Sequence, residues 1–382
     1  MRYLLLFFSF IALPIQAEIK LDQLTLPAGF EISFFAKNVE NARQMALSES
    51  GIVYVGSRSA GKVYALKDQD NDGKADQQWL IAEGLNLPSG IAWKEGSLYV
   101  AEVHQILKFE DIDNRLDEPK STVFFSELPT ERHHGWKFIR FGPNGELYFP
   151  VGAPCNVCDC ELENDEKCKG KGDTKGQFAR IFSVDLDSKK VTTIAQGVRN
   201  TVGFDFHPDT QELWFSDNGR DMMGDDLPAC EINRVTKNNE HFGFPYFHAG
   251  DVADPEYSVN KKMQDYIPPE LNLDAHVAPL GIHFYQGKQF PKSYQKQLFV
   301  AEHGSWNRTK KSGYKIGLVT IKDLKVTEYT PFITGFMKNE ETFGRPVALL
   351  EMTDGSLLIS DDYANVVYRV SYKKQIKQQN RK

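Results

Sequence analysis

A short pattern recurs six times along this chain, and it restricts the fold more than any other feature. Each copy is a turn residue followed by a run of large apolar residues. The copies are Gly51-Ile-Val-Tyr-Val55, Gly96-Ser-Leu-Tyr-Val100, Gly145-Glu-Leu-Tyr-Phe149, Gln211-Glu-Leu-Trp-Phe215, Lys296-Gln-Leu-Phe-Val300 and Gly355-Ser-Leu-Leu-Ile359. Partner strands follow several of them, at Lys62–Leu66, Gln105–Phe109 and Val366–Val370. Runs of this kind bounded by Gly, Asp, Asn and Pro read as β-strands. Convincing amphipathic helices are few.

The third positions of the copies fall at 53, 98, 147, 213, 298 and 357, on average about 61 residues apart, against roughly 40–50 for an ordinary four-stranded blade. The excess lies after the third and fourth copies. The pattern predicts an all-β chain: a six-bladed β-propeller with long inter-strand loop insertions, at Pro150–Gln177 and Asn218–Asp274. A two-sheet sandwich explains many strands but does not demand similar repeats. The propeller occupies residues 18–372, followed by a basic tail over 373–382.

The 382 residues carry 45 Lys+Arg against 52 Asp+Glu, a net charge of −7, which argues against a cationic nucleic-acid-binding surface. Apolar residues make up 41%, enough for a large core and too many for a disordered chain. Residues 1–17 hold Arg2, an apolar run from Tyr3 to Leu13, and Ala17. This reads as a secretory leader cleaved after Ala17, too short to span a bilayer. The expected location is the periplasm or outside the cell, with no membrane span after cleavage. Cys155, Cys158, Cys160, Cys168 and Cys230 then meet an oxidising compartment, so disulfides are the first reading and a zinc cluster the second. Their connectivity stays open.

Several residues offer chemistry. Asp68, Asp70, Asp72, Gly73 and Asp76 form D-x-D-x-D-G-x-x-D, suited to a structural Ca²⁺ or to a solvated turn. The twelfth position is Trp79, so it is not an EF-hand. His133 and His134 precede a predicted inner strand; a neutral imidazole there can take a proton from a hydroxyl, although a His pair is also a common loop feature. Arg199 and Arg345 also precede inner strands. Two guanidinium groups at one mouth suit a ligand with several carboxylates, or else bond loop carbonyls. Asp217, Asp221, Asp225, Asp226 and Glu231 make an acidic stretch open to both a cation and a solvated reading. Glu302-His-Gly-Ser-Trp-Asn-Arg308 brings a further His, Trp and Arg.

Taken in order, Leu26–Phe30, His133-His134 with Phe141–Gly145, Gly197-Val-Arg-Asn200, Asp217–Asp221, Gly224–Asp226, Glu302–Arg308 and Gly344-Arg-Pro346 resemble the soluble quinoprotein sugar dehydrogenases, especially the sorbosone dehydrogenase-like branch. The likeness spans roughly Leu26 to Tyr372. It implies a propeller that binds pyrroloquinoline quinone (PQQ), a tricarboxylate, and Ca²⁺ at its axial mouth. It implies His134 as catalytic base and Arg199, Asn200 and Arg345 as cofactor contacts, with Arg308 a candidate for the family's cofactor-binding Lys. It puts the backbone carbonyls of Gly219 and Arg220 at the Ca²⁺ position. A sugar aldehyde or alcohol would be oxidised, and electrons would pass to a separate acceptor such as a cytochrome or quinone. The chain departs from glucose-oxidising members at Val202 (Gln there), His133 (Asp), Val347 (Arg) and Arg220 (Pro). A calcium-dependent sugar lactonase and a non-catalytic carbohydrate-binding propeller are the alternatives.

Overall fold

The computed structural model describes residues 20–161, 168 and 176–373. Six antiparallel sheets follow one another along the chain. Blade 1 is built from Ala42–Leu47, Ile52–Ser57, Val63–Lys67 and Gln77–Ala82, and blade 2 from Gly90–Lys94, Ser97–Ala101, Ile106–Phe109 and Ser121–Phe125. Blade 3 comprises Arg140–Phe141, Leu147–Val151, Arg180–Val184 and Val191–Gln196, extended by Glu240–His241 in parallel. Blade 4 comprises Phe204–Phe206, Leu213–Asp217, Ala229–Val235 and Leu271–Ala275; blade 5, Pro279–Phe284, Leu298–Glu302, Lys315–Lys322 and Lys325–Ile333. Blade 6 takes Pro346–Glu351, Leu357–Asp361 and Val366–Tyr372 from the end of the chain and Phe30–Lys37 from its beginning. That closure pairs Phe30 with Tyr372 and Lys37 with Val366, so no seam is left between first and last blade.

All six repeat copies fall on the second strand of a blade. Ile52–Ser57 and Leu298–Glu302 are buried along their whole length, as is every second strand. A strand covered on both faces reads as a continuous apolar run, not an alternation, and this is what makes the copies look alike. Outer strands differ: in Ser121–Phe125 only Phe125 is buried.

Six apolar cores lie between successive blades. Tyr54, Ile91 and Val100 pack between blades 1 and 2, Phe149 and Ile139 with Tyr99 between 2 and 3, and Phe204 and Phe215 with Ile181 between 3 and 4. Trp214 and Phe284 join blades 4 and 5, Phe299 and Tyr368 join 5 and 6, and Leu358 and Val53 close 6 onto 1. Each such side chain contributes about 1.5–3 kcal/mol on full burial. A separate small cluster, Val202, Leu280, Val347 and Ala348, occupies the centre where the inner strands converge.

The stretch 218–274 is not one insertion. It contains the third strand of blade 4 and the strand added to blade 3. Pro150 and Val151 belong to a blade strand, so the first insertion starts later than expected. Cys155–Cys158 and Cys160–Cys168 are disulfides, with Cα atoms 6.1 and 5.2 Å apart, and Cys230 is a buried free thiol. The cysteine cluster is therefore a pair of small covalent loops rather than a zinc site. The expected leader and the tail beyond Lys373 lie outside the described residues. Among the described residues no helix is long and apolar enough to cross a membrane.

Candidate functional site

In an antiparallel blade, the start of the inner strand and the end of the second strand lie at the same end. Loops of both kinds from blades 1, 3, 4, 5 and 6 surround one axial cavity of about 380 Å³. His134, Arg199, Asn200 and Arg345 all line it, so the structure brings these sequence-derived residues together. Gly219 also lies in the wall.

His134 is held at one nitrogen. Its Nδ1 donates to the Ala153 carbonyl at 2.8 Å, which leaves Nε2 as the lone-pair nitrogen. Burial, then the nearby Arg199 charge, drives its pKa well below the usual histidine value. The ring is therefore neutral at neutral pH, with the Nε2 lone pair available to accept a proton. Backbone at Gly152 approaches closely: a Cβ there would meet the His134 Cβ at 2.6 Å, so only Gly fits.

Arg345 donates Nε to the His303 carbonyl at 3.0 Å and Nη2 to the Gly304 carbonyl at 2.7 Å, leaving Nη1 without a partner among the described residues. Two further guanidinium groups, unforeseen from the sequence, share this side. Arg43 is buried and pairs through Nη1 with Asp362 at 2.9 Å. Arg58 lies over the Trp136 ring at 4.3 Å. Burial depresses the pKa of both, and the charge of Arg345 adds to the effect. Asp362 is the carboxylate among them, and His303 Nε2 shares it at 2.7 Å. The signal for these Args was present: Arg43 opens blade 1 as Arg199 and Arg345 open theirs, and Arg58 stands three residues after the end of a repeat copy.

The floor is apolar. Val202 and Leu280 line the cavity and belong to the central cluster with Val347. Two of the departures from the glucose-oxidising pattern, Val202 and Val347, thus put apolar side chains in this central cluster. Trp136 packs against it, and its buried Nε1 has no partner among the described residues. Cationic groups with spare donors, an orphaned N–H and an apolar floor match the chemistry of a planar polycarboxylate. PQQ is such a molecule, and this donor set fits it.

Other expectations change. Arg308 is not in the cavity wall; it donates to the Asp225 carbonyl and to Asp226, both at 2.8 Å, and pins two surface loops together. The Arg220 side chain likewise points elsewhere, paired with Asp254. Arg199 lines the cavity but spends every guanidinium N–H on protein oxygens, among them the Gly219 carbonyl at 2.9 Å. That carbonyl is thus already engaged by a buried cation, which argues against the Ca²⁺ contact expected at Gly219. Asp68, Asp70 and Asp76 gather their carboxylates within 4.8 Å, but on the turn between the third and fourth strands of blade 1, at the end opposite the cavity. Asp72 stands outside that trio and pairs with Lys74 at 3.4 Å.

A family model described as "Domain of unknown function (DUF7133)" matches residues 16–382. An uncharacterized protein of Borreliella burgdorferi is 37% identical over 379 residues, covering 95% of this chain and 94% of its own length. Among solved structures, a calcium structure of a Trichoderma reesei carbohydrate-active enzyme of family AA12 superposes with a TM-score of 0.77 at 19% identity, over 92% of this chain and 97% of that one. The holo PQQ domain of pyranose dehydrogenase from Coprinopsis cinerea gives 0.74 at 17% identity, over 94% and 99%. PQQ-bound aldose sugar dehydrogenase from Streptomyces coelicolor gives 0.63 at 16%, over 91% and 100%. The fold expected from the sequence resemblance is the fold of these proteins.

Proposed function

The chain belongs to the DUF7133 family, and from that premise we propose that it is a PQQ-dependent oxidoreductase of a sugar aldehyde or alcohol. The observation that carries this reading is the neutral His134, its Nε2 unbonded, in one cavity with the spare donors of Arg43, Arg58 and Arg345.

The quinone, when bound, supplies a two-electron acceptor for hydride. The rest falls to this chain's own groups. Arg43, Arg58, Arg345 and the Trp136 N–H would take the carboxylates of the quinone and fix their orientation. The Asn200 side chain, which lines the cavity, is a further polar contact. Val202 and Leu280 exclude water from below. His134 Nε2 receives the proton of the substrate hydroxyl as the C–H hydride departs, and Ala153 holds the ring in the tautomer that makes this possible.

Two disulfides and the expected leader support export to the periplasm or beyond, and electrons then pass to a separate acceptor, a cytochrome or a quinone. The lactonase reading needs several carboxylates on the axis, and among the described residues that line the cavity only Asp221 carries one. The test is to add PQQ to purified apoprotein and follow dye reduction over a panel of sugars. Sugar-dependent reduction lost in His134→Ala is the expected result. Lactone hydrolysis without PQQ, or sugar binding without turnover, would refute it.

A further inference from the structure

Arg199 sits in a cage made only of oxygen. Its Nε donates to the Asn156 carbonyl at 2.8 Å, and Nη1 to the carbonyls of Asn218 at 3.0 Å and Gly219 at 2.9 Å. Nη2 donates to Asn156 Oδ1 at 2.9 Å and to Asp221 Oδ2 at 3.2 Å. A guanidinium has five N–H donors, and all five are used. Three carbonyls, one amide oxygen and one carboxylate are the ligand types that a protein offers to a hard divalent ion. Here they surround a fixed organic cation.

Charge points the same way. The cage has one carboxylate, Asp221, so the guanidinium balances it. A divalent ion added at the Gly219 carbonyl would sit against a guanidinium that is itself buried. The cage is also rigid. Asp217 accepts the backbone N–H groups of Arg199 at 2.8 Å and Asn200 at 2.6 Å, and Ala153 donates to the Arg199 carbonyl at 2.8 Å. The side chain therefore enters the cage from a fixed backbone.

We propose that Arg199 is a built-in cation that fills this oxygen cage beside His134, so that the cavity holds its ligand without a divalent ion at the Gly219 carbonyl. Part of the test rests on the PQQ reading above, and part does not.

Calcium is titrated calorimetrically into apoprotein carrying Asp68→Asn, Asp70→Asn and Asp76→Asn, which silences the remote acidic turn, with and without Arg199→Ala. The expected result is no calcium uptake with Arg199 present and one ion per chain without it. Uptake of one ion with Arg199 present overturns the proposal, as does a folded Arg199→Ala protein that takes up none. Should Arg199→Ala fail to fold, the Arg199-containing arm still decides. In the second measurement, PQQ binding to the otherwise unaltered chain is followed by tryptophan fluorescence in EDTA and in millimolar CaCl2. Dissociation constants within threefold of each other are expected, and a tenfold weakening in EDTA overturns the proposal. Absence of PQQ binding in both buffers defeats the cofactor reading alone and leaves the calcium titration to judge the cage.

Discussion

The Nδ1–H of His134 donates to the carbonyl of Ala153 at 2.8 Å, and the N–H of the same Ala153 donates to the Arg199 carbonyl at 2.8 Å. One peptide segment leaving the second strand of blade 3 thus fixes the base and the caged cation relative to each other. The tautomer of His134 follows from this bond.

Removal of the base is the first consequence. His134→Ala lowers kcat for sugar-dependent dye reduction by about 10²–10⁴, the usual worth of a positioned general base, while PQQ affinity changes little. Steady-state kinetics beside a binding titration separate the two.

The pH profile follows from the depressed pKa of the same ring. Burial and Arg199 disfavour the protonated form, so the base is already free at pH 6.5. The acid limb of kcat/KM lies below that value. A limb centred at or above pH 6.5 would contradict the assignment.

Arg43→Ala and Arg345→Ala each raise the PQQ dissociation constant about tenfold or more, the cost of losing a charged hydrogen-bond donor of about 1.5–3 kcal/mol. Arg308→Ala leaves it within twofold, because that side chain ties Asp225 to the surface away from the cavity. Equilibrium dialysis reads all three.

Gly152→Ala tests the close approach under the base. The added methyl meets the His134 Cβ at 2.6 Å and the His134 carbonyl at 3.0 Å, so the backbone must shift. Overpacking of this kind costs about 1–3 kcal/mol. Thermal unfolding and kcat both fall.

Lys137 is buried, with the Gly135 carbonyl as its hydrogen-bond partner, and burial pushes its pKa down to about 7. The unfolded chain keeps the proton up to the ordinary lysine value. Between these pH values the unfolded state binds more protons, so stability rises with pH, and the penalty is complete below pH 7. Lys137→Met therefore stabilises by a few kcal/mol at pH 6 and by less at pH 10. Denaturant midpoints at the two pH values check the sign.

What the sequence determined by itself was the strand that repeats. Leu98, Leu213, Leu298 and Leu357 sit in runs that are apolar throughout because blades cover them on both faces, and six such runs define six blades. It also marked His134, Arg199 and Arg345, since residues that open inner strands must meet at one mouth. Side-chain partnership was decided only by the tertiary structure. Arg43, Arg58, Arg199 and Arg308 are chemically identical in a sequence. Asp362 reaches one, Trp136 lies under another, five oxygens enclose the third, and Asp226 holds the fourth at the surface. These partners come from different blades, and the reach of a guanidinium toward a cavity or away from it depends on which distant oxygens folding places beside it.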